Sequence, residues 1–155
     1  MELTFAPKDI LQINDARIIH RNFEGRGSQY NREGDRNFSI VIPTQEMADA
    51  LIERGWNVKI KDARDGSEEP FIFLPIKVLF NGYGPTIYLQ SGNNRVELDE
   101  ESVKCLDDID IISVDLDIRP YDWGPINGKY GRSAYLQTIR VHQRIDRFAA
   151  EDQQF

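Results

Sequence analysis

The 155-residue chain is predicted to form one mainly β domain. Three observations support this fold class: several segments alternate apolar and polar residues with a period of two, two long glycine-rich segments separate strands, and one segment carries clear helix signals. Hydrophobic residues make up 40% and charged residues 29%, a balance typical of a folded globular protein and not of a disordered one. We therefore expect residues 1–147 to fold as a single unit.

The N-terminal part of the sequence predicts two strands joined by a long loop. Residues 10–23 (ILQINDARIIHRNF) are rich in β-branched residues and indicate one long, bent strand with a bulge near Asp15. Residues 24–35 contain three glycines and no apolar periodicity, so they predict a hairpin loop. Residues 36–42 alternate again and predict the second strand. Its inward positions are Phe38, Ile40 and Ile42.

A helix is predicted directly after the second strand. Thr44 is placed to accept a hydrogen bond as the N-cap, and Gly55 ends the helix. Between them, Met47 and Leu51 form an apolar stripe, which Ile52 extends. This segment is therefore a helix inserted between the second and third strands.

Residues 56–61 (WNVKIK) alternate again and predict the third strand. Trp56 shares a face with two aliphatic residues, so we expect it in the core. Lys59 points the other way and is a candidate for contacting phosphates. The polar residues 62–69 are predicted to form a loop.

The middle of the chain predicts three further elements. Residues 70–80 form an apolar strand that we expect to be broken at Pro75. Residues 86–90 and 95–98 flank the turn sequence SGNN and predict a hairpin. Asp99 is expected to cap a short acidic helix.

The C-terminal part predicts two strands and a second long loop. Residues 111–121 show the cleanest period-two pattern in the sequence. Residues 120–131 (PYDWGPINGKYG) are glycine-rich and predict a loop, residues 132–142 predict the last strand, and residues 148–155 predict a short disordered acidic tail. The inward positions of the strand at residues 111–121 are Ile112, Val114, Leu116 and Ile118.

With the inserted helix set aside, the element order is β-β-β-α-β-β. This is the order of the OB-fold, a Greek-key barrel whose binding loops join strands one to two and strands four to five. In this chain those loops are residues 24–35 and 120–131. The sequence therefore predicts an OB-fold-like barrel with one helix inserted after strand two and a short helix before strand four.

The net charge of −7 conceals strong segregation along the chain. Residues 17–61 carry eight Lys or Arg against six Asp or Glu, and residues 129–147 carry five against one. Residues 62–122 instead carry five against fourteen. Because a phosphate backbone responds to charge within about one Debye length, two basic regions brought together by the fold could bind it on an acidic protein.

Both predicted binding loops combine cations with aromatic residues, as binding of unpaired nucleic acid requires. Trp123, Tyr130 and Tyr30 are expected to stack on bases, since a glycine-rich loop offers no regular face that would bury them. Phosphate contacts are expected from Arg21, Arg36, Lys129 and Arg132. The complete predicted site is Arg21, Phe23, Tyr30, Arg36, Lys59, Tyr121, Trp123, Lys129, Tyr130 and Arg132.

Little in the sequence points to catalysis, a metal or another cofactor. Asp115 and Asp117 share a strand face and could in principle hold the metal of a nuclease, but no lysine or histidine motif accompanies them. Phosphate-cradling and nucleophile-elbow motifs are absent. With Cys105 as the one cysteine, and His20 and His142 far apart, zinc is not expected.

The sequence also suggests a cellular location. The N-terminus MELTFAPKDI lacks the features of a secretory signal, and a lone cysteine fits a reducing cytoplasm. The longest uncharged apolar run, residues 70–76, is far shorter than the roughly 20 residues of a membrane span. We expect a cytoplasmic protein that does not act on membranes.

Several runs resemble a family of bacteriophage single-stranded DNA-binding proteins. The C-terminal half matches in IRPYDW (118–123) and NGKYGRSAYLQTI (127–139), and the N-terminal half in residues 36–38 and 52–59. The resemblance spans residues 36–142 and implies an OB-fold, binding of displaced strands in phage replication or recombination within the host cytoplasm, and no catalysis. Related proteins often end in a dense acidic run, whereas this chain has only two acids before Phe155.

Alternatives remain open at this level. The acidic middle could make the domain a protein-binding module, such as an inhibitor or accessory factor, and RNA is not distinguished from DNA. Phe155 could place an aromatic ring in a partner's pocket, or the tail could be a frayed terminus. Besides single-stranded DNA, candidate partners are replication or recombination proteins and further copies of the chain.

Overall fold

The computed structural model describes residues 1–62, 70–82 and 84–145. Its helices are α1 (Gln45–Glu53) and two 3-10 helices at Pro7–Asp9 and Val103–Asp107. The strands are β1 (Glu2–Phe5), β2 (Leu11–Ala16), β3 (Ile18–Asn22), β4 (Arg36–Val41), β5 (Lys59–Lys61), β6 (Phe71–Val78), β7 (Thr86–Ser91), β8 (Asn94–Leu98), β9 (Ile111–Ile126) and β10 (Lys129–Gln143). The mainly β fold class is confirmed.

All of these strands belong to one sheet. Its main path runs β1-β2-β9-β10-β6-β4-β3, with β5 paired to β6, β7 to β10, and β8 to β7. Although β2 and β3 lie toward opposite ends of this path, only Arg17 separates them in the chain, so the sheet must curl. The pairing leaves an open path, and the predicted barrel closure is not confirmed.

The core fills the concave side of the curled sheet. Phe23 and Phe38 are fully buried there, with their rings stacked at a centroid distance of 5.1 Å. Each fully buried aliphatic or aromatic side chain contributes about 1.5–3 kcal/mol. Other large side chains with no exposed surface are Leu11, Ile13, Ile40, Leu51, Leu74, Ile76, Ile87, Leu106, Ile118 and Ile139.

The predicted long first strand is divided into β2 and β3. Asp15 adopts a φ of 55°, and the β2–β9 register shifts between Ile13 and Ala16, at the place where a bulge was expected. The Asp115 carboxylate on β9 accepts the Asp15 N–H at 2.9 Å and lies 2.8 Å from His142 Nε2. Asp115 therefore stabilises the bend in this strand.

The inserted helix α1 forms as predicted. The Thr44 hydroxyl accepts the Met47 N–H at 3.2 Å, and Gly55 takes a φ of 86° after the last turn. Leu51 is buried, but Ile52 is 46% exposed and lies outside the apolar stripe. Helix start and end signals were therefore better guides than the full extent of the stripe.

The segment after α1 contains less strand than predicted, because β5 is only three residues long. Trp56 is 4% exposed, so its assignment to the core is confirmed. In contrast, β6 continues through Pro75 instead of breaking there. One side of β6 pairs with β4. Its other neighbours are β5, at Phe71–Phe73, and β10, at Lys77, so Pro75 has no strand partner besides β4 and its missing N–H is tolerated.

The largest difference from prediction concerns residues 120–131. The predicted loop is the end of a long β-hairpin, because β9 continues to Ile126 and β10 begins at Lys129. Asn127 and Gly128 form the turn with φ values of 51° and 76°. An Asn-Gly pair favours such a two-residue hairpin turn, so the sequence carried the signal. We call residues 120–132 the arm.

Two other expectations differ in detail. Ile112 was predicted to face inward but is 56% exposed, and Ile111 packs against the core instead. A register shift at His142 and Gln143, opposite this end of β9, accompanies the change. The hairpin of β7 and β8 and a short helix after Asp99 are confirmed. The N-cap of this helix is Ser102 and not Asp99, whose carboxylate instead accepts the Ser102 N–H at 2.8 Å.

The predicted loop at residues 62–69 lies, apart from its first residue, outside the described part of the chain. The predicted tail at residues 148–155, with Phe155, also lies outside it. Among the residues that the structure describes, no helix is long and apolar enough to cross a membrane.

Replacing Asp115 and Asp117 by asparagine should change stability in opposite directions. Burial alone would raise the pKa of Asp115, but hydrogen bonds from His142 and the Asp15 N–H outweigh it and lower that pKa below 3.8. Burial raises the pKa of Asp117. At about pH 6, Asp115→Asn should therefore lower the melting temperature and Asp117→Asn should raise it.

Both differences should shrink on acidification. The contribution of Asp115 is lost as the pH falls from the unfolded value of 3.8 through the lower folded pKa. The penalty at Asp117 disappears as the pH falls through its raised folded pKa toward 3.8. Melting curves between about pH 6 and about pH 2.5 test this, and effects of the same sign would contradict it.

Candidate nucleic-acid interface

One side of the sheet faces away from the core and carries an unusual set of side chains. On β6, Phe71, Phe73, Pro75 and Lys77 alternate with the buried inward residues of that strand. Residues directly opposite one another on paired strands share a face. The outer face therefore includes Ile19, Asn22, Asn37, Ser39, Val41, Lys59, Lys61, Phe71, Phe73, Pro75, Lys77, Arg119, Tyr121, Trp123, Gly131, Ser133 and Tyr135.

A groove of about 480 Å³ crosses this face. Tyr30, from the loop at residues 24–35, and Tyr135 of β10 both line it. Its volume lies in the range of sites that hold small organic ligands. The polar and charged residues that line the groove are Tyr30, Asn31, Asp35, Arg36, Asn37, Ser39, Asn57, Lys77, Ser133 and Tyr135.

Two cations flank Tyr135 beside the groove. The Arg119 guanidinium carbon lies 5.0 Å from the centre of the Tyr135 ring, and the Lys77 Nζ lies 5.7 Å from it. Because Arg119 is on β9 and Lys77 on β6, they approach from the strands on either side of β10. Neither forms an ion pair within the described residues. Both charges are available to an anion.

The arm extends this surface with aromatic side chains. Tyr121 is 56% exposed and meets Tyr135 edge to face at 6.0 Å. Trp123 is 36% exposed and lies across Gly131, its cross-strand partner. A Cβ at Gly131 would overlap the indole ring, so the absence of a side chain there permits the contact. The glycine thereby holds the indole of Trp123 flat on the hairpin.

Arg132 fixes the base of the arm. Its guanidinium donates to Asp122 at 2.7 and 3.1 Å and to Asp9 at 3.4 Å, and it lies 5.4 Å from the centre of the Trp56 ring. The hydrogen bond to Arg132 lowers the pKa of Asp122, and the same contact raises the pKa of Arg132. Arg132 therefore has a structural role, and its phosphate contact stays a prediction.

Two other residues predicted to contact phosphates also form hydrogen bonds within the protein. Arg21 donates to the carbonyl oxygens of Leu106 and Ile109, both at 2.7 Å, and so ties β3 to the second 3-10 helix. Arg36 donates to the carbonyl of Phe23 and forms an ion pair with Glu100 at 3.2 Å.

The assignment of Phe23 to base stacking was wrong. Its side chain has no exposed surface, because it packs into the core beside Phe38.

Part of the acidic middle segment supports the loop at residues 24–35. The Asp107 carboxylate accepts the N–H groups of Phe23 at 2.8 Å and Glu24 at 3.0 Å, where the loop begins. Glu100 pairs with Arg36, where the loop ends. Two residues of the acidic middle segment therefore hold a predicted binding loop in place.

Six of the ten predicted site residues remain exposed to solvent. Tyr30 and Tyr130 are 90% and 75% exposed. The other four are Lys59, Tyr121, Trp123 and Lys129. The prediction omitted Lys77, Arg119 and Tyr135, which form the centre of the outer face. Lys77 carried a usable signal, since it is a lone charge in the otherwise apolar strand FIFLPIKV.

Within the described ranges, no group of three or more His, Cys, Asp or Glu side chains is arranged to hold a metal ion. The Asp115 carboxylate is instead engaged by His142 and the Asp15 N–H.

A sequence model of the family described as "putative phage ssDNA-binding domain" matches residues 2–153. No curated protein sequence matches the chain significantly.

Two solved structures share the fold. The C-terminally truncated single-stranded DNA-binding protein from bacteriophage Enc34 has a TM-score of 0.58 at 13% identity, with 94% of this chain and 97% of that chain covered. The Enc34 protein in complex with ssDNA has a TM-score of 0.55 at 13% identity, with 93% and 92% covered. At this identity the likeness establishes a common fold.

Substituting Gly131 by alanine should expose Trp123. The new Cβ would occupy the position of the indole, which must then leave the hairpin surface. In a Trp56→Phe background, the emission of Trp123 should shift to longer wavelength and acrylamide quenching should increase.

Gly82→Ala is a matched control, because a Cβ at Gly82 meets nothing within 4 Å. Its fluorescence should equal that of the parent. An unchanged spectrum for Gly131→Ala would contradict the proposed packing of Trp123.

Proposed function

The chain belongs to the family of phage single-stranded DNA-binding domains, and we propose that it binds single-stranded DNA on its outer face without catalysing a reaction. One observation carries the proposal: Lys77 and Arg119, two cations without ion-pair partners in the described residues, flank Tyr135 on the face that bears Trp123. Cations beside exposed aromatic rings match the alternating phosphates and bases of a single strand.

The two interactions contribute differently to binding. Stacking of a base on an exposed ring contributes about 1–3 kcal/mol, and it tolerates any base because each has a flat π-face. Contacts between cations and phosphates release counterions, so the affinity falls as salt is added. The combination favours a largely sequence-tolerant protein that discriminates against duplex, whose bases are already stacked and paired.

Such a protein would cover displaced strands during phage replication or recombination. The face is continuous from the arm, through the groove, to Lys59 and Lys61 on β5, and can therefore follow a strand over several nucleotides. Replication or recombination proteins and further copies of the chain remain candidate partners.

The alternative function, protein binding through the acidic middle, has weaker support. Glu100 and Asp107 engage the loop at residues 24–35 and are not free for a partner. Asp108 and Asp110 are exposed, but exposed acids by themselves identify no ligand.

Binding of fluorescent oligo-dT of roughly 16 nucleotides should be tight at low salt and should weaken linearly with the logarithm of the salt concentration. Lys77→Met and Arg119→Met should each reduce the slope by about 0.7, because one phosphate contact is lost. Lys104→Met removes an exposed cation on the second 3-10 helix and should leave the slope unchanged.

Fluorescence anisotropy across a salt series measures these slopes, with duplex of equal length as the comparison. Trp123→Ala should cost about 1–3 kcal/mol of binding and leave the melting temperature nearly unchanged. Trp56→Ala should instead lower the melting temperature, since it leaves a cavity in the core. Equal affinity for duplex, or insensitivity to salt, would contradict the proposed function.

A further inference from the structure

The groove on the outer face contains an oriented hydrogen-bond acceptor. The Asn31 Nδ2 lies 2.8, 3.2 and 3.0 Å from the carbonyl oxygens of Arg26, Arg32 and Asp35. Since carbonyl oxygens only accept, these contacts fix which end of the Asn31 amide is the nitrogen. The Asn31 Oδ1 is consequently an acceptor directed toward Asn37.

The orientation of the Asn31 amide in turn fixes the orientation of the Asn37 amide. The Asn37 Nδ2 donates to Asn31 Oδ1 at 2.8 Å and to the Asp35 carbonyl at 3.3 Å. Both donors of the Asn37 amide are thereby used within the loop. The polar atom that Asn37 can offer to the groove it lines is Oδ1, which is an acceptor.

Ser39 adds a second polar group to the groove floor. It is only 5% exposed, and it lies between Ile19 on β3 and Pro75 on β6, neither of which has a polar side chain. Its hydroxyl forms no hydrogen bond within the described residues. Every fully buried side-chain N or O atom in that part of the chain does have a partner, so the Ser39 oxygen is not fully buried. The Ser39 oxygen must therefore reach the open groove.

We propose that the groove holds one unpaired nucleobase by its Watson–Crick edge, with Asn37 Oδ1 accepting a base N–H and the Ser39 hydroxyl bonding the adjacent polar atom. The inference rests on the proposed function and specifies how one nucleotide is recognised. Every base has an N–H donor on this edge, and base pairing occupies it in duplex. The groove thus distinguishes unpaired from paired bases, not one sequence from another.

The surroundings of the groove suit a single nucleotide. Its 480 Å³ is within the range of small-ligand pockets, and two tyrosine residues, Tyr30 and Tyr135, line it. Lys77 lines the same groove and carries a charge that can contact the attached phosphate. One nucleotide can therefore contact Lys77 through its phosphate, and the Asn37 amide and the Ser39 hydroxyl through its base.

The test compares oligo-dT with the same oligonucleotide methylated at N3 of every thymine. Methylation removes the imide N–H but keeps the phosphates and the flat ring faces. For the wild-type chain, anisotropy should show affinity weakened by about three- to tenfold, the effect of one lost hydrogen bond in a desolvated site. For Asn37→Ala, methylation should change affinity by less than about twofold.

Further variants separate recognition from folding. Ser39→Ala breaks no hydrogen bond within the described residues, so it should keep the melting temperature while weakening binding of unmodified oligo-dT by about two- to fivefold. Asn93→Ala, in the turn between β7 and β8, removes an exposed amide outside the groove and should behave as wild type.

The outcomes are distinct. If wild type binds methylated and unmodified oligo-dT equally, or if methylation weakens wild type and Asn37→Ala to the same extent, the inference is wrong while the proposed function stands. If unmodified oligo-dT does not bind at all, the proposed function fails first. A methylation effect seen in wild type and Asn93→Ala but absent in Asn37→Ala supports the inference.

Discussion

The alternation of side chains along a curled sheet determines where this protein can bind anything. Every second residue of β4, of β6 and of the part of β10 beyond the arm must enter the core, because the sheet curves around a single apolar interior. The remaining residues form the outer face. On β6 the outer-face residues include two phenylalanines and a lysine, whereas polar side chains alone would suffice on a face that only meets solvent. The proposed binding surface is the part of the sheet that core packing leaves free.

Whether a cation is engaged within the protein or left unpaired depends on whether a carboxylate or carbonyl oxygen lies within hydrogen-bond distance. Arg21, Arg36 and Arg132 are all engaged by such groups, and they hold the loop at residues 24–35 and the arm in position. Lys77 and Arg119 approach an aromatic ring instead, which orients them without neutralising their charge. The engaged cations thus position the surface, and the unpaired ones give it a positive charge within an acidic protein.

The sequence predicted those features that depend on local chemistry. Thr44 and Gly55 mark the helix because capping is local, and Trp56 follows a pattern that only a core explains. The arm was mistaken for a loop because both of its faces are exposed, so its strands show no alternation of polarity. Arg132 was assigned to phosphate because its cross-strand partner, Asp122, can be identified only when the register is known. The centre of the outer face was missed for the same reason, since Tyr135, Lys77 and Arg119 belong to three different strands.

Chemical-shift mapping in ¹⁵N-labelled protein tests the location of the binding surface most directly. On titration with oligo-dT, the amides of Asn37, Lys77 and Tyr135 and the indole N–H of Trp123 should shift together and saturate at one concentration. The chemical shifts of the amides around Asp108, at the end of the second 3-10 helix, should remain unchanged. Shifts that cluster around Asp108 while the outer face stays unperturbed would contradict the account.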